Sequence, residues 1–429
     1  MAWLILPANP LSIFSFYHES FAGCKSVVNL VVLLFIKQNN HLATLFWISL
    51  FIIFYTYIGY GLILFFMVRV LRWLRLEEKK ITELFTPSLA LIVAAYNEAD
   101  CIEEKIKNSL SLQYPGDKIH FIFVTDGSTD GTHEIVSRYP RIQLLHTAVR
   151  SGKIAALQRA MKEVKTEVVV FTDANSVINK DALLQICQHY RDEKTGAVAG
   201  EKRIDISKVE DATAGEGFYW KYESILKKWE SELYSVIGAA GELFSIRTAL
   251  YETIEPDTIL DDFMISMRIS VKGYLIRYEP GAYAVETASV NISEELKRKV
   301  RIATGAVQAM LRLKSLLLPF RYPVLSFEYI SHRILRWIIT PYLLIAVFVL
   351  NGVMVLAHTS QPYFAWILFG QSSFYSIALM GRILEKRQLA FKIWFIPYYF
   401  CLMNYAMIAG MFRFMQTKQT VLWEKAKRK

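Results

Sequence analysis

The chain has 429 residues, 53% of them hydrophobic and 14% aromatic, and carries a formal net charge of +10. It is longer than one ordinary domain. Its four cysteines, Cys24, Cys101, Cys187 and Cys401, form no CxxC pair and have no histidine cluster beside them, which excludes a zinc module and a disulfide-stapled fold; with no RNA- or DNA-binding motif either, nucleic acid is excluded as the partner behind the positive charge.

Residues 1–41 contain one short apolar stretch, Ser26–Ile36, between Lys25 and Lys37. It fits an interfacial segment or an imperfect first span, and no cleaved signal peptide is expected. Leu42–Val68 then runs 27 residues without a charge. Trp337–Ala357 and Gln361–Gly381 run 21 each, and Ile393–Phe412 runs 20. Stretches of about 20 apolar residues match the hydrocarbon thickness of a bilayer. Basic residues gather next to them: Arg69, Arg72, Arg75, Lys79 and Lys80, then Arg382, Lys386, Arg387 and Lys392, then Lys425, Lys427, Arg428 and Lys429. Such clusters mark the cytoplasmic side, so the polar middle is expected there. The expected plan is a transmembrane helix at 42–68, a cytoplasmic domain at 86–318, an interfacial segment at 319–336, a C-terminal transmembrane region of two to three spans at 337–414, and a basic tail at 415–429. Pro397, inside the last run, allows a broken or re-entrant segment.

The middle alternates strand and helix signals. Strands are expected at Ser88–Ala95, Lys118–Thr125, Arg141–His146, Glu167–Thr172 and Ala197–Lys202. Helices are expected at Glu98–Leu112, Asp130–Tyr139, Gly152–Val164 and Asp181–Tyr190, and then at Asp211–Tyr234, whose Tyr219, Tyr222, Leu226, Trp229 and Leu233 share a face. This pattern predicts an α/β fold with a parallel, doubly wound sheet. Such sheets bind ligands beyond the carboxyl ends of their strands. Two apolar runs end there in acid, Phe121–Asp126 and Val168–Asp173, the second followed by Asn175. Hard oxygen groups so placed suit a divalent cation carrying a diphosphate.

In chain order the polar groups are Asn97-Glu98, Asp126-Gly-Ser128, Ser151-Gly152-Lys153, Asp173-Ala-Asn175, Gly238-Ala-Ala-Gly241, Leu260-Asp261-Asp262-Phe263 and Arg298-Lys-Val-Arg301-Ile302. The series resembles the family 2 glycosyltransferases, in particular the membrane-embedded branch of cellulose, hyaluronan and poly-N-acetylglucosamine synthases. The resemblance covers residues 86–340 and implies a GT-A, Rossmann-like nucleotide-sugar domain inserted between transmembrane helices. By resemblance, Asn97, Glu98, Asp126, Lys153, Asp173, Arg301 and Arg298 bind the nucleotide-sugar. Asp173 and Asn175 hold Mg2+ or Mn2+, Gly238 and Gly241 lie against the acceptor, and Asp262 is the catalytic base with Asp261 beside it.

Each role makes chemical sense. An ammonium at a helix start attracts phosphate, a guanidinium recognises it bidentately, and a carboxylate must take the proton of a poorly nucleophilic hydroxyl. Ordinary readings compete: Asp126 as a turn former, Asp261-Asp262 as helix-start acids, and the glycines as packing residues. Two departures stand out. Asn175 replaces the second acid of the family's DxD motif. Arg298 and Ile302 replace the Gln and Trp of QxxRW, while a literal RxxRW recurs at Arg333–Trp337, where Arg336 and Trp337 read as interface anchors.

The expected function is an inverting transfer from a UDP-sugar to a glycan or lipid-linked acceptor, with processive exopolysaccharide synthesis as one form of it, at a bacterial inner membrane or its equivalent. The alternatives are a non-processive transferase acting on a polyprenyl-phosphate or lipid-linked oligosaccharide, and an inactive membrane scaffold. The expected partners are the donor, the acceptor and the lipid bilayer, with no nucleic acid.

Overall fold

The computed structural model describes residues 40–74, 83–205, 214–287, 292–357, 361–386 and 392–416. Residues 1–39 of the N-terminal segment, the basic residues Arg75, Lys79, Lys80 and Arg387, and the tail beyond residue 416 lie outside the described residues.

An eight-stranded sheet forms the centre, in the order β3-β2-β1-β4-β7-β6-β8-β5. The strands are β1 Leu89–Ala95, β2 Ile119–Asp126, β3 Ile142–Thr147, β4 Val168–Asp173, β5 Val177–Ile178, β6 Thr195–Asp205, β7 Phe244–Arg247 and β8 Leu275–Thr287. Strands β3, β2, β1 and β4 are mutually parallel. All seven residues of β1 are buried, as a parallel strand covered on both faces requires. Burying each of its Leu, Ile and Val side chains contributes about 1.5–3 kcal/mol, which explains why an unbroken apolar run stays a strand. Helix α1, Asn40–Leu74, precedes the sheet in the chain, and the helices of this half are α2 Ile102–Leu110, α3 Thr132–Ser137, α4 Lys153–Glu163 and α5 Ala182–Gln188.

Beyond β4 the sheet changes character. Strand β7 runs antiparallel to β4 and β6, while β6 and β8 are parallel. Phe171 of β4 faces Phe244 of β7, their rings stacked at 4.8 Å. Neither β7 nor β8 is expected from sequence. Strand β7 has only four residues. Strand β8 contains Pro280-Gly281, which reads as a turn, and the sheet accommodates that pair in a register shift at Gly200/Glu201.

Helix α6, Ala214–Leu233, follows β6. Its Tyr222, Leu226, Trp229 and Leu233 pack on Tyr60 and Leu64 of α1, so this aromatic face is a packing surface. Helix α7, Asp261–Val271, precedes β8, and α8, Ile292–Arg312, follows it. Then come α9 Pro323–Leu356, α10 Tyr363–Lys386 and α11 Lys392–Gln416.

Four described helices are long and apolar enough to cross a membrane: Asn40–Leu74, Pro323–Leu356, Tyr363–Glu385 and Trp394–Gln416. Helix α9 runs unbroken through residue 336, with a π-helical stretch at Ile330–Ile339, so the segment expected to lie in an interface begins the same helix as the following apolar run. Helix α11 runs through Pro397 without interruption; so near its start, proline removes a single hydrogen bond.

The chain divides into two compact units. One unites residues 40–53 with 343–373, around Phe46, Val347, Met354 and Phe364, and adds a hydrogen bond donated by Asn351 Nδ2 to Gln371 Oε1 at 2.9 Å. The other contains residues 54–342 and 374–416 and holds the sheet.

Within the sheet-bearing unit, Arg336 is not an interface anchor. It is buried and ion-paired to Glu223 of α6, and His332 Nδ1 meets Glu230 Oε1 at 2.5 Å. The reason is charge: a buried acid needs a cation, and α9 supplies it. Arg336 and His332 hold the Glu223 carboxyl well below its usual range against the opposing effect of burial.

Candidate active site

The carboxyl ends of β1 and β2 carry a set of polar groups that satisfy one another. Asn97 has φ +54°, and its Oδ1 accepts from the Thr129 amide at 2.9 Å. Its own amide donates to Ser128 Oγ at 3.1 Å. The Glu98 amide donates to Thr132 Oγ1 at 2.9 Å. Asp130 accepts from the amides of Ala99, at 2.9 Å, and Thr132, at 3.1 Å. Asp126 is 4% exposed. Its Oδ2 accepts from the amides of Ser151, at 2.9 Å, and Gly152, at 2.6 Å, and its Oδ1 takes Arg159 Nη1 at 3.3 Å. Asp126 thus ties β2 to the start of α4 while lining a small cavity with Tyr96, Arg150, Gly152 and Lys153. Arg150 lies over the Tyr96 ring at 3.8 Å.

Lys153, the first residue of α4, is the centre of the next group. Its Nζ stands 3.1 Å from Asp173 Oδ1 at the end of β4 and 3.3 Å from Asp261 Oδ2 at the start of α7. Burial works against its charge, but Asp173, Asp261 and Asp262 outweigh it and hold the ammonium's pKa above the ordinary value. Burial, and then the neighbouring Asp261 charge, pushes Asp262 up to about 7, with Lys153 opposing. Its Oδ1 accepts from the Phe263 amide at 2.8 Å.

Gly241 belongs to this group. A Cβ built there would stand 3.3 Å from Asp262 Oδ2 and 3.6 Å from Lys153 Nζ, so a side chain at 241 would crowd the carboxylate. Gly238 is different. It has φ +86°, and a Cβ would stand 2.2 Å from the Phe263 ring. Its need for glycine comes from packing and backbone conformation. The carbonyl before it, of Ile237, accepts from Arg333 Nη2 at 3.1 Å.

Of the two arginines on α8, Arg301 is exposed, within the field of Asp261, Asp173 and Asp262. Arg298 turns elsewhere, to Glu242 Oε1 at 3.3 Å and Glu286 Oε2 at 3.8 Å. Asn175 donates from Nδ2 to Glu286 Oε1 at 3.3 Å. Thus the structure gathers Lys153, Asp173, Gly241, Asp261 and Asp262, leaves Asn97, Glu98 and Asp126 in an adjoining loop system, and commits Arg298 to ion pairs.

Sequence reasoning misses the groups behind the cleft. Lys105 of α2 is buried beneath the Asp173 turn, where its Nζ donates to Thr172 Oγ1 at 2.8 Å and the Ser176 carbonyl at 2.7 Å. Burial brings its pKa down to about 7. Lys202 is buried and ion-paired to both Glu242 and Glu286, and Lys202 and Arg298 hold the Glu242 carboxyl below its usual range despite burial. None of these residues has a local signal: each pairs across the sheet, and two lie on or beside strands that the pattern does not reveal.

A cation fits this donor set by its chemistry. Among the described residues no three His, Cys, Asp or Glu side chains already form a metal cage. Hard cations such as Mg2+, however, use one or two carboxylates and complete their shell with water and substrate phosphates. Asp173, half-buried and facing an ammonium, is a carboxylate of that kind.

Residues 90–254 match the model of glycosyl transferase family 2. The chain is 26% identical over 296 residues to the poly-beta-1,6-N-acetyl-D-glucosamine synthase of Staphylococcus aureus strain MSSA476, covering 66% of this chain and 71% of that protein. It is 28% identical over 262 residues to the protein of that name from Staphylococcus epidermidis, covering 59% and 62%. Among solved structures it resembles a mannosyltransferase from Pyrobaculum calidifontis in complex with GDP-Man and Mn2+, with a TM-score of 0.65 and 25% identity, over 87% of this chain and 100% of that one. With its GT-A sheet, its gathered carboxylates and its apolar helices, this chain is a glycosyltransferase with a family 2 domain, akin to the membrane polysaccharide synthases.

Proposed function

We propose that the chain transfers a sugar from a nucleoside diphosphate donor, UDP-linked, to a glycan acceptor with inversion of the anomeric centre, and that it does so repeatedly to build an exopolysaccharide. The observation that carries this reading is the convergence of Asp173, Asp261 and Asp262 on Lys153. In one displacement the acceptor hydroxyl oxygen bonds to the anomeric carbon, the bond to the diphosphate breaks, and the hydroxyl proton passes to Asp262. A carboxylate raised to about 7 is matched to that task near neutral pH. Asp261 keeps Lys153 in place and, as a like charge, contributes to raising its neighbour. Lys153 and Arg301 bind the diphosphate, the guanidinium being suited to bidentate contact. Gly241 leaves room for the acceptor sugar beside the base. Asp173 and Asn175 hold Mg2+ or Mn2+, which when bound spreads the charge of the departing diphosphate.

N-acetylglucosamine is the first sugar to try, because the curated relatives are named for that polymer. The solved neighbour's GDP-Man makes a guanosine-linked donor the second. Ile302, in place of the family's tryptophan, favours the alternative of single transfer to a lipid-linked acceptor. The catalytic domain faces the cytoplasm, on the support of Arg69 and Arg72 after the first apolar run.

The test is nucleotide release by the purified full chain, offered UDP-N-acetylglucosamine, UDP-glucose and GDP-mannose in turn with Mg2+ or Mn2+. Release of UDP with a product ladder on a gel is expected. A single added sugar selects the lipid-linked alternative, and release from none of the donors rejects the enzyme reading.

A further inference from the structure

Asn175 stands where the family's metal motif carries its second acid, and its neighbour accounts for the amide. Its Nδ2 donates to Glu286 Oε1 at 3.3 Å. Glu286 comes from the far end of β8, is 4% exposed, and takes Lys202 Nζ on its other oxygen at 2.5 Å. An ionised carboxylate accepts hydrogen bonds and donates none. The orientation of the Asn175 amide is therefore dictated by chemistry: the NH2 must meet Glu286, and the carbonyl oxygen must point away from it. An aspartate in place of Asn175 would bring two carboxylates together at this distance, and like charges so placed cannot both stay ionised without cost.

We infer that Glu286 is a positioning residue for the transfer: it locks the amide of Asn175 so that Oδ1 is presented to the cation and diphosphate of the donor, and it is the reason that position 175 carries an amide. The inference rests on the nucleotide-sugar reading above. Lys202 and Arg298 act through Glu286, fixing the position of its carboxylate.

The experiment measures Mn2+ binding to the purified full chain in detergent from the electron paramagnetic resonance signal of free Mn2+, with UDP present and, in a second arm, GDP. The variants are Asn175→Asp, Glu286→Gln and both together. Groups that orient a metal ligand are worth about 10–100-fold in affinity when lost. Asn175→Asp is expected to weaken Mn2+ about tenfold although it adds an acid. Glu286→Gln is expected to weaken it several-fold, because a glutamine no longer dictates the amide's orientation. The double variant is expected within about threefold of wild type, since the introduced glutamine amide can donate to the introduced carboxylate and restore the bond with its polarity reversed. The donor KM should follow the same order, with kcat changing less.

Tighter Mn2+ binding by Asn175→Asp alone, or additive losses in the double variant, overturns the inference. Wild-type protein that binds Mn2+ with neither nucleotide removes the nucleotide-sugar reading and this inference with it, whereas wild-type binding with additive losses removes the pairing alone. Melting temperatures report folding. If Glu286→Gln does not fold, Asn175→Asp is compared with Asn175→Ser: weaker Mn2+ binding by the aspartate variant supports like-charge conflict with Glu286, and tighter binding overturns it.

Discussion

Along β1 and β2, acceptor groups are occupied largely by backbone amides of the same half of the sheet: Asp126 by Ser151 and Gly152, Asn97 by Thr129, Asp130 by Ala99 and Thr132. Within the mixed strands, and where β4 meets them, the acids are instead held by side-chain cations: Glu242 and Glu286 by Lys202 and Arg298, Asp173 and Asp261 by Lys153. The first arrangement makes a fixed floor, because a backbone amide cannot leave without unfolding the loop that bears it. Within the second, the buried Lys202 stays fixed between Glu242 and Glu286, whereas the half-buried Lys153 can exchange partners, because a lysine ammonium on a flexible stem can move from a carboxylate to a phosphate with little rearrangement. The loops after β1 and β2 are accordingly fit to hold a nucleotide, and the group around Lys153, at the border with the mixed strands, to change its charge pairing as a diphosphate arrives and leaves.

The contrast can be broken most sharply at its mobile side. Asp262→Asn should lower transfer by about 10³-fold, within the span expected for a general base, while leaving nucleotide binding largely intact. Nucleotide release and titration calorimetry with UDP check the two halves of that statement; full turnover by the variant would remove the base assignment. Lys153→Met should lower kcat/KM by about 10²-fold, as loss of one preorganised charge at a transferring group does. Part of the loss should appear as a higher donor KM, because Asp173, Asp261 and Asp262 then repel the diphosphate unscreened.

The pH profile gives a smaller and independent reading. Asp262 must be ionised to accept a proton, and its pKa is raised to about 7 by burial and Asp261. Turnover should therefore climb about tenfold per pH unit below that point and level off above it. An unchanged rate from about pH 5 to 8 would contradict the assignment. The smallest effect on chemistry is expected on the fixed side. Asp126→Asn loses a buried charge-assisted acceptor and should cost about 1.5–3 kcal/mol of stability. Thermal melting should show that drop, with transfer by the remaining folded protein reduced only through donor KM.

The parallel half is legible because β1, β2 and β4 are mostly apolar runs, the last two closed by Asp, and buried parallel strands need that composition. The residues around Lys153 are legible because each sits at a strand end or helix start, where short motifs have a mechanical reason to occur. Strand β8 is not legible, since Pro280-Gly281 is a turn by any local rule and becomes part of a strand only through its partner β6. Glu242 and Glu286 escape notice for the same reason. Arg298 looks like a second phosphate ligand beside Arg301, and only the fold reveals that its guanidinium turns to those two acids. Arg336, which reads as a membrane-surface anchor, is spent on Glu223, an acid 113 positions earlier in the chain.

The contact between Gly238 and the Phe263 ring has an evolutionary consequence. With 2.2 Å available to a Cβ, any residue larger than glycine at 238 demands a smaller ring or none at 263. Phe263 directly follows Asp262, so the permitted order of mutations is constrained: position 263 must shrink before 238 can grow, and the first step already disturbs the neighbour of the base. A saturation library covering both positions should recover changes at 238 only on backgrounds already altered at 263, and seldom even there, because a φ of +86° strains any side chain at 238 whatever the space.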